Sequence, residues 1–234
     1  PPWLAPLFDM LQGMVGRTGF SVRYELLDPN DELRRDGYAI APFKVLHRSP
    51  AVGYALIEDD RPGRFDEEAA RRLGVAPGPD FGRLQRGEPV PGADGEVRPD
   101  QVLGDARRGR KLVLSGDTAP CDMTLHVAHH ADLLVHEATF TEEERERARI
   151  TKHSTARQAA LLAAEAEVKL LALTHLSPRH PAGALRDEAR EEFEATIVPR
   201  DFDRVDLPLP EKGDPIHVRA RDERAPLEHP VPGG

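Results

Sequence analysis

Several things are scarce or missing in this 234-residue chain, and each absence removes a class of answer. There is one cysteine, Cys121, so no intrachain disulfide can form, which fits a reducing cytoplasm. The same scarcity excludes a structural zinc cage built on two or more thiolates. No apolar run approaches the roughly 18 residues that a membrane span needs. The opening PPWLAPLFDML has neither a basic leader nor a long apolar stretch, and nothing in it reads as a signal peptide. A Gly-rich phosphate loop is absent. So is GxSxG, which leaves a serine-hydrolase reading without a nucleophile. Net positive charge is absent too: the balance is −9, which argues against nucleic-acid binding by bulk charge. A local basic patch, or a bound cation offsetting carboxylates, remains compatible with that balance.

What is present is a soluble globular composition, 39% hydrophobic and 31% charged, with enough length to bury a sizeable core. SVRYELL (21–27), GYAIAPFKVLH (37–47) and GYALIED (53–59) read as strands. The stretch 61–100 then turns rich in Gly, Pro and Arg. A short helix is expected at 66–73, and the remainder reads as an extended arm with few core residues. After residue 100 the pattern becomes regular. KLVLS, ADLLVH and VKLLALT are apolar strands, alternating with helical stretches at about 121–130, in EEERERAR and in ARQAALLAAEAE. Thr155 and Gln158 have capping-box spacing, which leaves His153 just outside a helix N-terminus. The Pro-rich tail 207–234 is expected to be partly disordered.

The three later strands end in Asp117, in His136-Glu137 and in His175. Sites in α/β sheets collect at the carboxyl ends of strands, so these endings predict one shared site. Each residue also has a plain reading. Asp117 in SGDT can cap the following helix, His175 can be a satisfied buried histidine, and His153 can simply be exposed. His47 repeats the pattern of a strand end before a Ser-Pro turn. Four such coincidences are less economical than one His/Asp cluster. His126 and His130, at i, i+4, could share a helix face, but no acidic partner accompanies them as in HExxH, and they read as surface residues.

SGDTAPCD, DLLVHEATF, KHSTARQAA and LTHLSPRH, in this order and spacing, resemble ribonuclease Z, the tRNA 3′-processing endonuclease family of the metallo-β-lactamase fold. The similarity runs upstream through LHRSPAVGYALIE and RPGRFD…LGVAPGPDFGRLQRG, and onward to RDFDRVDLPL. The resemblance implies an α/β fold, an αββα sandwich with an inserted flexible arm. Its core would occupy 1–57 and 96–206, the arm 58–95 and the tail 207–234. It implies two zinc ions per complete active site, with Asp117 as the bridging carboxylate and His175 and His47 as ligands of one ion each. It implies that His153 protonates the leaving 3′-oxygen and that Glu137 orients or assists it. Arg61, Arg64, Arg83 and Arg86 would grip tRNA from the arm. The expected partners are precursor tRNA and a second copy in a homodimer, in the cytoplasm, with no membrane.

Two zinc ions suit the chemistry, since they supply a hydroxide near neutral pH and neutralise charge on the phosphate. A separate basic arm suits the recognition of RNA by shape. The family's HxHxDH string does not occur in these 234 residues, and the chain does not begin with Met. The expectation is therefore an N-terminally truncated copy, the larger C-terminal part of such an enzyme. With only Asp117 plus His47 or His175 for each ion, it would be inactive alone. The competing readings are another hydrolase of the same fold, acting on small phosphodiesters or sulfate esters, and a non-catalytic tRNA-binding or dimer-partner fragment.

Overall fold

The computed structural model describes residues 4–16, 19–29 and 31–220. Helix α1 (Leu4–Val15) comes first, followed by β1 (Leu33–Arg35), β2 (Tyr38–Lys44) and β3 (Val52–Glu58). An insertion follows, with α2 (Glu67–Arg72), α3 (Pro79–Gln85), β4 (Val90–Gly92) and β5 (Gly95–Val97). The chain continues through β6 (Lys111–Leu114), α4 (Asp122–Ala128), β7 (Leu133–Glu137), α5 (Arg145–Thr151), α6 (Ala156–Glu165) and β8 (Leu171–Thr174). It closes with α7 (Ala182–Glu192), β9 (Thr196–Ile197), β10 (Arg204–Asp206) and β11 (Ile216–Val218).

Seven strands form one sheet in the order β1-β2-β3-β6-β7-β8-β9. The first four are mutually antiparallel, and β6 through β9 are parallel. Parallel neighbours need a crossover, and α4, α6 and α7 supply it. Strand alternation sends Val113, Leu134, Leu171 and Leu173 towards these helices, where they pack with Ala156, Ala159, Ala160 and Ala163 of α6. Alanine lets α6 lie close to the sheet. Thr155 caps that helix through the expected box, its side chain accepting from Gln158 N–H while Gln158 reaches back.

On the other face Leu133, Leu170, Ala172 and Ile197 form a smaller cluster with Val205 and Leu207, while Tyr54 and Leu114 stay exposed. The arrangement is the expected α/β one: a sheet with its helices, half of an αββα sandwich. A second sheet of comparable size is not formed among the described residues.

Three readings change. Residues 21–27 form no strand; they run as exposed coil, because their alternation finds no partner strand. The insertion is not extended: Ala70, Val75, Leu84, Val90, Val97 and Val102 make an apolar cluster of their own, with Phe65 against Phe81 at 4.8 Å. It reaches beyond residue 95, because its two ends pair at Arg61↔Arg107 and Phe65↔Leu103. A Cβ on Gly63 would lie 1.9 Å from Gly104 O, so glycine permits this closure. In the tail, β10 and β11 pair, and residues 221–234 lie outside the described residues. Among the described residues no helix is long and apolar enough to cross a membrane.

Candidate metal and catalytic centre

The carboxyl ends of β6, β7 and β8 lie side by side, and the loops leaving them carry the polar residues. Gly116, at φ +63°, turns the chain after β6 so that Asp117 stays at the sheet edge. Backbone N–H of Ala119 donates to Leu46 O at 2.8 Å, and Leu46 N–H to Thr118 Oγ1 at 3.1 Å. These bonds fasten the His47 loop to the Asp117 loop. His153 follows Lys152, which ends α5 in the left-handed region. Phe140 and Thr155 form a bridge that draws the histidine's loop against the exit of β7. His175 itself has φ +54°, an uncommon conformation for a residue with a side chain and one that clusters at functional sites.

Glu137 is the hub. It is fully buried. Its Oε1 accepts from Thr118 N–H at 2.8 Å and from His153 Nδ1 at 2.7 Å. Its Oε2 accepts from the Thr139 hydroxyl at 2.9 Å, Ser154 N–H at 3.1 Å and Thr139 N–H at 3.3 Å. The dyad fixes the His153 ring with Nδ1–H towards Glu137, leaving Nε2 to face outward. Thr139 extends the network, with its Oγ1 2.8 Å from His175 Nδ1. With the hydroxyl proton given to Glu137, His175 Nδ1 is the donor, and its Nε2 lone pair is free. That Nε2 lies 3.6 Å from Asp117 Oδ2.

The rings of His153 and His175 stack at 5.3 Å, and His47 meets His153 edge-on at 5.1 Å. Asp117, Glu137, His153, His175 and His47 therefore come together. His136, by strand alternation, faces away: it is fully buried, Nδ1–H donates to Glu137 O at 2.7 Å, and burial pushes its imidazole below the usual range, so it stays neutral.

Ligand atoms of Glu137, His153 and His175 lie within 4.8 Å of one another, close enough for one cation. The donors around Glu137 argue against that set, because five contacts saturate both oxygens of the carboxylate. Asp117 and His175 fit better. Their facing atoms are close, partly exposed and committed to no other group, and the Thr139–Glu137 relay is the kind of support that metal-bound histidines use. At His47, Ser49 N–H donates to Nδ1 at 3.3 Å, so the neutral ring carries its proton on Nε2 and must give up that contact to ligate through Nε2.

Not every expected residue joins the cluster. Arg61 donates to both oxygens of Glu211, at 2.9 and 2.7 Å, at the root of the insertion. Arg83 contacts Glu88 and Asp80, and Arg86 contacts Glu88. Of these four arginines, Arg64 alone has no carboxylate partner among the described residues. His126 and His130 do not share a helix face, since α4 ends at Ala128 and His130 turns to Glu167; both are exposed. Thr139, the relay, was within reach of sequence reading as part of DLLVHEATF but carried no separate signal.

No family model matches the chain. Sequence relatives are clear: a ribonuclease Z of Myxococcus xanthus is 53% identical over 199 residues, 83% of this chain and 65% of that protein. A ribonuclease Z of Halorubrum lacusprofundi is 47% identical over 210 residues, 88% of this chain and 68% of its own length. One from Haloferax volcanii is 50% identical over 195 residues, 81% and 62%. The chain thus spans about two thirds of the curated relatives it matches. Among solved structures, human tRNase Z, short form, overlays 75% of this chain and 44% of its own at a TM-score of 0.45 with 21% identity. The overlay is loose, and the weight lies with the sequence relatives.

Proposed function

From the premise that the chain belongs to the ribonuclease Z family, we propose that it carries the acid side and part of the metal centre of an endonuclease that removes the 3′ trailer from precursor tRNA. Supporting this reading is the pairing of two functional units on one sheet edge: the Asp117–His175 pair at 3.6 Å and the Glu137–His153 dyad at 2.7 Å. Asp117, His175 and His47 would hold the metal, which the family resemblance gives as zinc. When bound, it supplies a nucleophile at neutral pH and charge neutralisation on the phosphate. The donor set of imidazole and carboxylate suits that ion.

The chain's own residues do the rest. Glu137 accepts from His153 Nδ1 and holds the ring in one orientation. His153 Nε2 then gives its proton to the departing O3′ as the phosphorus–oxygen bond breaks. Thr139 transmits the hold of Glu137 to His175. The folded insertion contributes tRNA contacts through Arg64 and its neighbours. Zinc as the metal, the homodimer and the cytoplasmic setting rest on the family resemblance.

The test is a 3′-extended precursor tRNA incubated with the protein and zinc or manganese, read for a single cut at the trailer junction, beside metal content per chain. Asp117→Ala is expected to lose metal. His153→Ala is expected to keep it and slow the chemical step. Metal loss in His153→Ala would sink the assignment of an acid outside the ligand set.

A further inference from the structure

On the helix side of the sheet, away from the centre, α4 and the last turn of α6 border a cavity of about 290 Å³ lined by Asp122, Leu125, His126, His129 and Glu165. Four of these five carry atoms that can ligate a metal. Asp122 and His126 are four residues apart on α4, and His129 follows three later; side chains at these spacings share one helix face. Although α4 ends at Ala128, His129 N–H still donates to His126 O at 3.4 Å, so the turn continues through it. Lys111 Nζ donates to His129 O at 3.0 Å and fastens the backbone there. Glu165 comes from the other helix, as the last residue of α6. That helix has 10 residues, which puts Glu165 about 15 Å from the cap beside His153.

Two features set this cluster apart from an ordinary charged surface. The side chains of Asp122, His126 and Glu165 make no hydrogen bond or ion pair among the described residues, and the His129 ring meets only that of His130, at 3.9 Å. Glu165 also sits at the negative end of the α6 dipole, where no basic residue occupies the last turn. A carboxylate is disfavoured at that end, and a bound cation relieves it. We propose that Asp122, His126, His129 and Glu165 bind one divalent ion of the zinc class, which clamps α4 to α6. The site is separate from the centre and independent of the endonuclease reading. Two imidazoles and two carboxylates complete a tetrahedral shell, so the ion is structural: no position is left for water or substrate. Among the described residues, three ligand atoms already lie within 4.8 Å of one another only at the centre. Here the ion gathers them. The four side chains are exposed and held by no carboxylate, hydroxyl or ammonium, so each is free to change rotamer. Ordering them costs entropy, and the affinity is lower than a preformed set would give.

The experiment is equilibrium dialysis of the full chain against a zinc series near neutral pH, read as zinc bound per chain. The parents are the unaltered protein and Asp117→Ala. In both, adding His126→Gln together with His129→Gln is expected to remove one ion per chain. Glu165→Gln is expected to weaken zinc at this site about tenfold or more, at least what loss of an outer-shell partner costs. His130→Gln, which breaks a contact with Glu167, changes nothing. Thermal unfolding gives a second readout: zinc raises the midpoint of Asp117→Ala and fails to raise it once His126 and His129 are replaced. Both positions are exposed, so without zinc the double variant melts with its parent. A double variant that keeps all its parent's zinc would overturn the site. So would an equal loss in His130→Gln and His126→Gln, which would mean an adventitious patch of histidines. Undiminished affinity in Glu165→Gln would overturn the clamp to α6. Metal lost through Asp117→Ala belongs to the centre alone, so the two readings fail separately.

Discussion

Two parts of this chain bury apolar side chains in different ways. Beneath the candidate centre, residues from β2, β3, β6, β7, β8 and three helices share one cluster. The insertion between β3 and β6 has a separate one, formed only from residues 65–102 and touching the sheet through a narrow root. The site therefore inherits the rigidity of the larger cluster, because Glu137 and His153 hang directly on strand and helix ends. The insertion can respond to a ligand without disturbing that geometry. An element that adapts to a partner and an edge that holds a fixed geometry have opposite needs, and separate cores let one chain meet both.

The sharpest way to break this contrast is Glu137→Ala. It leaves Thr118, Ser154 and Thr139 N–H groups and His153 without their acceptor inside the main core, at a cost of about 3–5 kcal/mol. Urea denaturation measures it. An unmoved midpoint would mean that the centre is not anchored in the core at all.

Leu84→Ala, in the insertion, is expected to cost about 2–5 kcal/mol, but locally. Hydrogen exchange should show residues 65–102 losing protection while β7 and β8 keep theirs. Loss of protection across the whole sheet would refute the autonomy of the insertion.

Thr155→Ala removes the α6 cap, for about 1 kcal/mol, and thermal unfolding should register it as a small shift of the global transition.

The smallest effect is at the root. Arg61 holds the Glu211 carboxyl at about 2, against an ordinary value of 4.5. A lowered carboxyl stabilises above its ordinary value and loses that contribution as pH falls through the lowered one. Amide protection at Arg61 and Arg107, taken relative to intrinsic exchange at each pH, should fall between pH 4.5 and about 2, and Glu211→Gln should flatten that profile. Persistence of the pH step in Glu211→Gln would assign it to another group.

The sheet's later half was legible because its strands are short apolar runs with polar endings, and KLVLS, ADLLVH and VKLLALT each became a strand. Their endings pointed to Asp117, Glu137 and His175 for the same reason. In the insertion only the short helix expected at 66–73 was legible, and it became α2; the packing around it was not. The insertion's buried residues are mostly valines spaced irregularly between glycines and prolines, so neither a period of two nor one of 3.6 appears. Residues 21–27 failed in the opposite way, with alternation but no neighbour to pair with.

The parallel order of β6, β7, β8 and β9 has a consequence for biosynthesis. A ribosome releases His47 and Asp117 long before His175. Until β8 has docked on β7, the emerging polypeptide holds no pair of facing donors on that edge. Long-range parallel pairing is slow compared with helix formation. The nascent chain therefore presents these side chains separately rather than as a formed site. The Asp117–His175 pair is thus a late product of folding, completed after translation has passed α6 and β8, rather than a nucleus around which the protein folds.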